Sequence, residues 1–237
     1  MLLQTVPWLL LATVLRSYAR VMPGGLALLG MVLVQFAVLL AFLLASQKMI
    51  ELAKGSTSLA RLSFHEQLVF GWRVIWRFLL LFLLAVGGAN FAGVDKFLAA
   101  QLWFGFDGIA FPWRQGLLQL WVAAISTIAF MFVVEKGQDR EPRFISVFKE
   151  IGRHWRHLLW ALLFISALLV VATFVQGRIA GILAPIFDRP EVGRARYLAY
   201  VALVLVFSYI RLWGIVAILT HALRASYRRR SQMPEAA

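Results

Sequence analysis

The sequence predicts an all-α integral membrane bundle of five or six transmembrane helices with cytoplasmic amphipathic helices. Three observations carry that expectation. Of the 237 residues, 62% are apolar, against about 45–50% in a soluble domain. Mean hydropathy is +0.80. Apolar windows of eighteen or more residues, with few or no charges, recur along the chain, as spanning helices require. What remains between them is too short to bury the core of a separate soluble domain, so the expectation is one membrane domain over 1–237.

The first element, MLLQTVPWLLLATVL, has no basic start and no small-residue cleavage site, which argues against a signal peptide. It reads either as a short span kinked at Pro7 or as an interfacial helix ending at Arg16 and Arg20. Pro23-Gly24-Gly25 separates it from the next run. Five runs then read as spans: Gly24–Ser46, Val74–Val94, Gly116–Val134, Leu158–Gln176 and Tyr197–His221. Residues 1–60 form the N-terminal segment with the first span, and 223–237 form a basic tail.

Charge orients these runs. The chain carries 24 Lys+Arg against 11 Asp+Glu. The connections 47–77 and 135–157 and the tail after His221 hold 15 basic residues, and the alternate connections hold 8. The richer side is expected in the cytoplasm, which puts the C-terminus inside. The N-terminus is inside too if residues 2–15 span, and outside if they lie flat. Because the charges flank apolar runs, the basic excess points to anionic lipid head groups and not to nucleic acid. The absence of cysteine excludes disulfides and thiolate chemistry.

Two stretches resemble each other. GWRVIWRFLLLFLL begins at Gly71 and GRHWRHLLWALLF at Gly152, and each sets a Trp-Arg pair (Trp76-Arg77, Trp155-Arg156) just before a span. An amphipathic stretch precedes each pair. In the second copy Phe144, Val147, Phe148, Ile151 and Trp155 recur at helical spacing; in the first, Phe64, Leu68, Trp72 and Ile75 share a face. The unit is an amphipathic helix, a span out, an outer loop and a span back, at 61–135 and again at 143–222. Both copies enter from the same side, so the repeat would be parallel. The outer loop QLWFGFDGIAFPWR concentrates aromatic rings, with Trp103 and Trp113 suited to an interface, a partner subunit or a lipid.

An amphipathic segment such as RFISVFKEIGRHWRHLLWALL, followed by an outer loop and a span like FSYIRLWGIVAI, resembles a broad group of uncharacterised bacterial polytopic membrane proteins. Some members are fused to glycerophosphodiester phosphodiesterases. The resemblance covers about residues 60–230 and implies a bacterial inner membrane location. It transfers no functional residue, and no phosphodiesterase domain accompanies it.

Motifs for chemistry are missing. His154 and His157 could share a helix face, but no HExxH or third ligand joins them and Arg153 and Arg156 would repel a cation, so no metal is expected. No phosphate-binding loop or nucleophile elbow occurs, and the spans carry no embedded carboxylate; Glu135 sits at the inner end of its span and would pair in solvent with Lys136 or a neighbour. Gly87-Gly88-Ala89-Asn90 offers a close helix contact or a broken helix lining a substrate site.

Arg211 is the costly residue, since a central arginine disfavours insertion by about 2.5–3.5 kcal/mol. It should sit near mid-membrane, face other helices and bond to carbonyls, Asn90, Gln119 or a partner subunit. A structural pin, a substrate or anion contact and a subunit contact all stay open.

The sequence therefore predicts a non-enzymatic subunit, scaffold or accessory factor without a cofactor. Its expected partners are anionic lipids and other membrane proteins or further copies of itself. The contact residues are Trp76, Arg77, Trp155, Arg156, Trp103 and Trp113, and the intramembrane candidates are Arg211, Asn90 and Gln119. A small-solute or ion transporter or channel is the alternative.

Overall fold

The computed structural model describes residues 2–19, 24–53, 63–93, 116–136, 144–187 and 193–224. These form a 3-10 turn, Leu2–Thr5, and seven α-helices: α1 (Val6–Ala19), α2 (Gly24–Leu52), α3 (Phe64–Phe91), α4 (Gly116–Lys136), α5 (Phe144–Arg153), α6 (Trp155–Phe187) and α7 (Gly193–Ala222). No strand occurs among the described residues. Four stretches are long and apolar enough to cross a membrane: Val32–Leu52, Phe64–Phe91, Trp155–Leu183 and Leu198–Ala222. Val6–Arg16 and Leu120–Glu135 are shorter apolar stretches. Four of the five expected spans lie within a helix, and the fifth, Val74–Val94, overlaps α3 as far as its end at Phe91.

α2 is at the centre. Its side chains are apolar on all sides, which suits a helix surrounded by others, and Val34, Ala37, Leu39, Ala41, Phe42 and Ala45 are all buried. α1, α3, α4 and α7 pack around it. α4 is nearly as enclosed, buried from Val122 to Glu135 apart from Ala124. α6 covers α4 and α7 on one side. It turns Leu159, Trp160, Leu163 and Phe164 outward. In a bilayer such side chains contact acyl chains, which are as apolar as the side chains themselves.

α1 lies along α2 and touches α7. Its buried residues Thr5, Leu9, Ala12, Thr13 and Arg16 recur at helical spacing, while Leu10 and Leu11 are exposed. Arg16 is thus turned into the bundle and does not mark an exposed interfacial end. Pro7 produces no kink, because it occupies the first turn of α1, where its missing N–H has no helical partner to lose. With the 3-10 turn this segment is about 29 Å long.

The apolar stripes are only partly turned into the bundle. In α5 Val147 is buried and Phe144 and Ile151 are half-buried, but Phe148 is exposed, as is Trp155 at the start of α6. A single turn residue, His154, separates α5 from α6, and its N–H is shared between the Glu150 and Ile151 carbonyls, both at 3.2 Å. In α3 the inward residues are Phe70, Gly71, Val74, Ile75 and Phe78, with Phe64 and Trp72 exposed. The physical cause is Gly71: a Cβ there would lie 2.7 Å from Leu40 Cδ2, so the glycine lets α2 approach and fixes which face of α3 turns in.

The two expected repeats also pack differently. In the second, α6 and α7 run close together, and a Cβ at Gly214 would come 2.5 Å from Leu168 Cδ2. In the first, aromatic rings fill the space between α3 and α4: Phe78 meets Phe132 edge-on at 5.7 Å and Phe82 lies 6.4 Å from Trp121. α6 continues to Phe187, well past Gln176. Gly177 and Arg178 resemble a loop in sequence, but the Arg178 guanidinium stacks over Phe174 at 5.1 Å and stays on the helix.

α3 begins with a capping box, Ser63-Phe64-His65-Glu66. The Ser63 hydroxyl accepts from the Glu66 N–H at 3.4 Å, and the Ser63 N–H donates to Glu66 Oε2 at 2.7 Å. Ser63→Ala is expected to cost about 1 kcal/mol. Faster amide exchange confined to the first turn of α3 is the measurable sign, with the rest of the bundle unchanged.

Candidate functional site

Arg211 lies on α7 and is fully buried, at 0% exposure. Its position is about 27 Å from the start of α7 and about 16 Å from its end, at 1.5 Å per residue. One guanidinium nitrogen, Nη2, donates to Thr173 Oγ1 on α6 at 3.2 Å. The guanidinium carbon is 5.9 Å from the centre of the Phe207 ring, one turn back along α7. Thr173 in turn donates to the Leu169 carbonyl at 2.7 Å, so its hydroxyl has a donor role and an acceptor role at once. Ser208, also buried, donates to Val204 O at 2.6 Å.

Local sequence explains this meeting. α6 and α7 are antiparallel, and Gly214 brings their backbones together opposite Leu168. That register sets Thr173 opposite Arg211. The helices approach closely enough for a guanidinium to reach a hydroxyl, and the buried charge gains a hydrogen bond that water would otherwise supply. The geometry joins the two helices of one hairpin and can present guanidinium donors to an oxygen acceptor.

The other intramembrane candidates are not gathered here. Asn90 is exposed near the end of α3, where its carbonyl accepts from Gly93 N–H at 3.1 Å. It is not the partner of Arg211, which donates to Thr173 while the Asn90 side chain is exposed. The side chain of Gln119, in the first turn of α4, lies outside the described residues. Thr173 was the partner to look for, and one signal pointed to it. It is a polar residue of the expected span Leu158–Gln176, the one consecutive to that of Arg211, and helices joined by a short connection pack as antiparallel neighbours.

The Trp-Arg pairs separate in role. Trp76 is exposed and packs edge-on against Trp72 at 6.0 Å. Arg77 turns inward, its guanidinium 5.9 Å from the centre of the Phe132 ring on α4. Trp155 and Arg156 are both exposed, the guanidinium lying over the neighbouring indole at 5.6 Å. Trp103 and Trp113 lie outside the described residues.

Acidic and imidazole groups are also repositioned. Glu135 is buried, because α2, α5 and α6 cover the end of α4, so an expected solvated carboxylate is an enclosed one. His154 Nε2 is 3.3 Å from Glu150 Oε1. His157 instead faces a groove it shares with His221 on α7. Among the described residues, no three His, Cys, Asp or Glu side chains gather closely enough to hold a metal ion.

The fold and the apolar surface define a helical integral membrane protein. No family model matches the chain, and comparisons with curated proteins and with solved structures return no significant match.

Proposed function

We propose that this chain is a non-enzymatic membrane component that binds other membrane proteins or lipids through its outer surface. One observation carries the reading. The final turns of α3, from Leu83 to Phe91, contain no buried residue among those described, and Phe91 is 97% exposed. With none of these side chains buried among the described residues, the helix offers Gly87, Gly88 and Asn90 to another helix. Small residues with a hydrogen-bonding amide are what helix pairs in bilayers use. The outward Trp76, Trp155 and Arg156 support the same reading, since indole and guanidinium groups suit the head-group level. α5, with Lys149 and Arg153 exposed beside Phe148, suits a membrane-surface helix.

The proposal includes a bacterial inner membrane, as the resemblance of residues 60–230 implies, with the C-terminus cytoplasmic by the basic bias. Purification from native membrane in mild detergent tests the function. A co-purifying protein, a second copy or a bound lipid is expected, and a lone lipid-free monomer overturns it. Orientation is testable because the chain has no cysteine. A single cysteine introduced at Ser231 should react with an impermeant maleimide only after the membrane is opened.

A transporter or channel is the second reading. It is favoured by Gln35, buried in α2 with neither amide atom hydrogen-bonded among the described residues. It requires that Arg211→Ala abolish uptake while the protein still inserts.

A further inference from the structure

One face of α2 changes character along its length. Leu40, Leu43, Leu44, Gln47, Lys48 and Glu51 stand at i, i+3, i+4, i+7, i+8 and i+11, so all line a single stripe. Leu40 and Leu43 are buried, whereas Gln47, Lys48 and Glu51 are half-buried. Lys48 Nζ lies 2.6 Å from Glu51 Oε2, and Gln47 Nε2 donates to Glu51 Oε1 at 3.1 Å. α3 faces this stripe with Phe64, Gln67, Leu68 and Phe70.

α2 and α3 touch at Gly71 and Leu40. Between that contact and the end of α2 they enclose a cavity of about 500 Å³. α1 closes the third side with Trp8, whose indole stacks on Phe64 at 6.2 Å and 19°. The polar end lies where the apolar stretch of α2 finishes, at Leu52, the level at which a spanning helix meets head groups.

We infer that this cavity binds one phospholipid with a zwitterionic aminoalkyl phosphate head group, its acyl chain among Trp8, Leu40, Leu43 and Phe70. The volume lies within the range of small-molecule sites, roughly 300–1,000 Å³. A wholly polar solute leaves the leucine half unmatched, and a plain hydrocarbon leaves the Lys48–Glu51 end unmatched. The head-group choice follows from charge. An anionic head drawn to Lys48 meets the Glu51 carboxylate beside it, whereas a head carrying phosphate and ammonium gives each side chain an opposite charge. The site deepens the lipid-binding half of the function proposed above and rests on it.

The test uses the full chain in nanodiscs of equal phosphatidylethanolamine and phosphatidylglycerol, extracted into mild detergent and weighed by native mass spectrometry. The wild type should retain phosphatidylethanolamine in excess. Glu51→Gln should lower the ratio of the two retained lipids by about fivefold, the most that about 1 kcal/mol from a partly exposed charge allows. Leu43→Trp, which fills the apolar half, should lose the lipid. Because Leu43 is a core position, Glu51→Gln on the rim is the deciding variant. Equal retention of both lipids by the wild type, or an unchanged ratio in Glu51→Gln, overturns the site. If a partner protein still co-purifies in that case, the broader function stands; a lone protein retaining neither lipid overturns both.

Discussion

Arg211→Ala lowers the thermal midpoint in mild detergent by about 6–12 °C, the shift that about 3 kcal/mol makes in a chain of this size. The cause is volume more than charge. Arg211 is one of the largest fully buried side chains, so truncation opens a cavity between α6 and α7. Its partner is not stranded, because the Thr173 hydroxyl keeps its bond to the Leu169 carbonyl. Arg211→Met, which fills most of the space without a charge, therefore recovers at least half of the loss. Replacing a buried charge by an apolar side chain of similar volume is often neutral or stabilising. Tryptophan fluorescence of the nine indoles follows the transition. A methionine variant as unstable as the alanine one would show that the charge itself, and not the filling, holds the hairpin.

Phe132→Ala is expected to cost about 4 kcal/mol, or about 8–16 °C. Phe132 is fully buried on α4 and is the ring on which three elements converge. It meets Phe78 of α3 edge-on at 5.7 Å and Phe144 of α5 at 5.2 Å, and the Arg77 guanidinium lies over it. Edge-to-face pairs each add about 0.5–1.5 kcal/mol beyond burial. α3 depends on these rings, since its backbone stands away from α4. Hydrogen exchange should accelerate in α3 and α5 and stay unchanged in α1, which makes none of these contacts. Phe132→Leu should recover part of the stability by filling space, but not the ring contacts. Uniform acceleration across all helices would contradict a local role.

Much of the architecture was legible because lipid imposes a one-dimensional rule. A segment that crosses a bilayer satisfies its backbone internally as a helix, and its length and apolarity are properties of consecutive residues. That is why four of the five expected spans lie within helices and the fifth overlaps one from Val74 to Phe91. The helix ends were less legible. Gly177 and Arg178 resemble a stop, yet the helix runs on to Phe187 with the Arg178 guanidinium over the Phe174 ring. Ser63 and Glu66 carried a start signal in plain view.

The candidate site was half legible. A charge within an apolar run identifies Arg211 as a residue that must face protein, and it does. Choosing among its partners required knowing which helix lies beside which. Asn90 and Gln119 were named because they are polar residues within apolar spans, but Asn90 is exposed near the end of α3. The amphipathic stripes were legible as stripes but not as contacts. Periodicity shows that a helix has an apolar side, and Phe148 and Trp155 belong to it, but in a membrane protein that side can face lipid as readily as the core.

The sequence by itself determined the class, the helical content and the burial of Arg211, because each follows from the cost of exposing backbone or charge to hydrocarbon. Tertiary structure alone decided that α2 is central and that Arg16 and Glu135 are enclosed. It also set Thr173 against Arg211 and left a cleft with both apolar and charged walls between α1, α2 and α3. Those outcomes depend on small close contacts such as Gly71 against Leu40 and Gly214 against Leu168. Apolar side chains pair about equally well with lipid and with each other, so hydropathy cannot rank one helix neighbour over another; shape at the contact does.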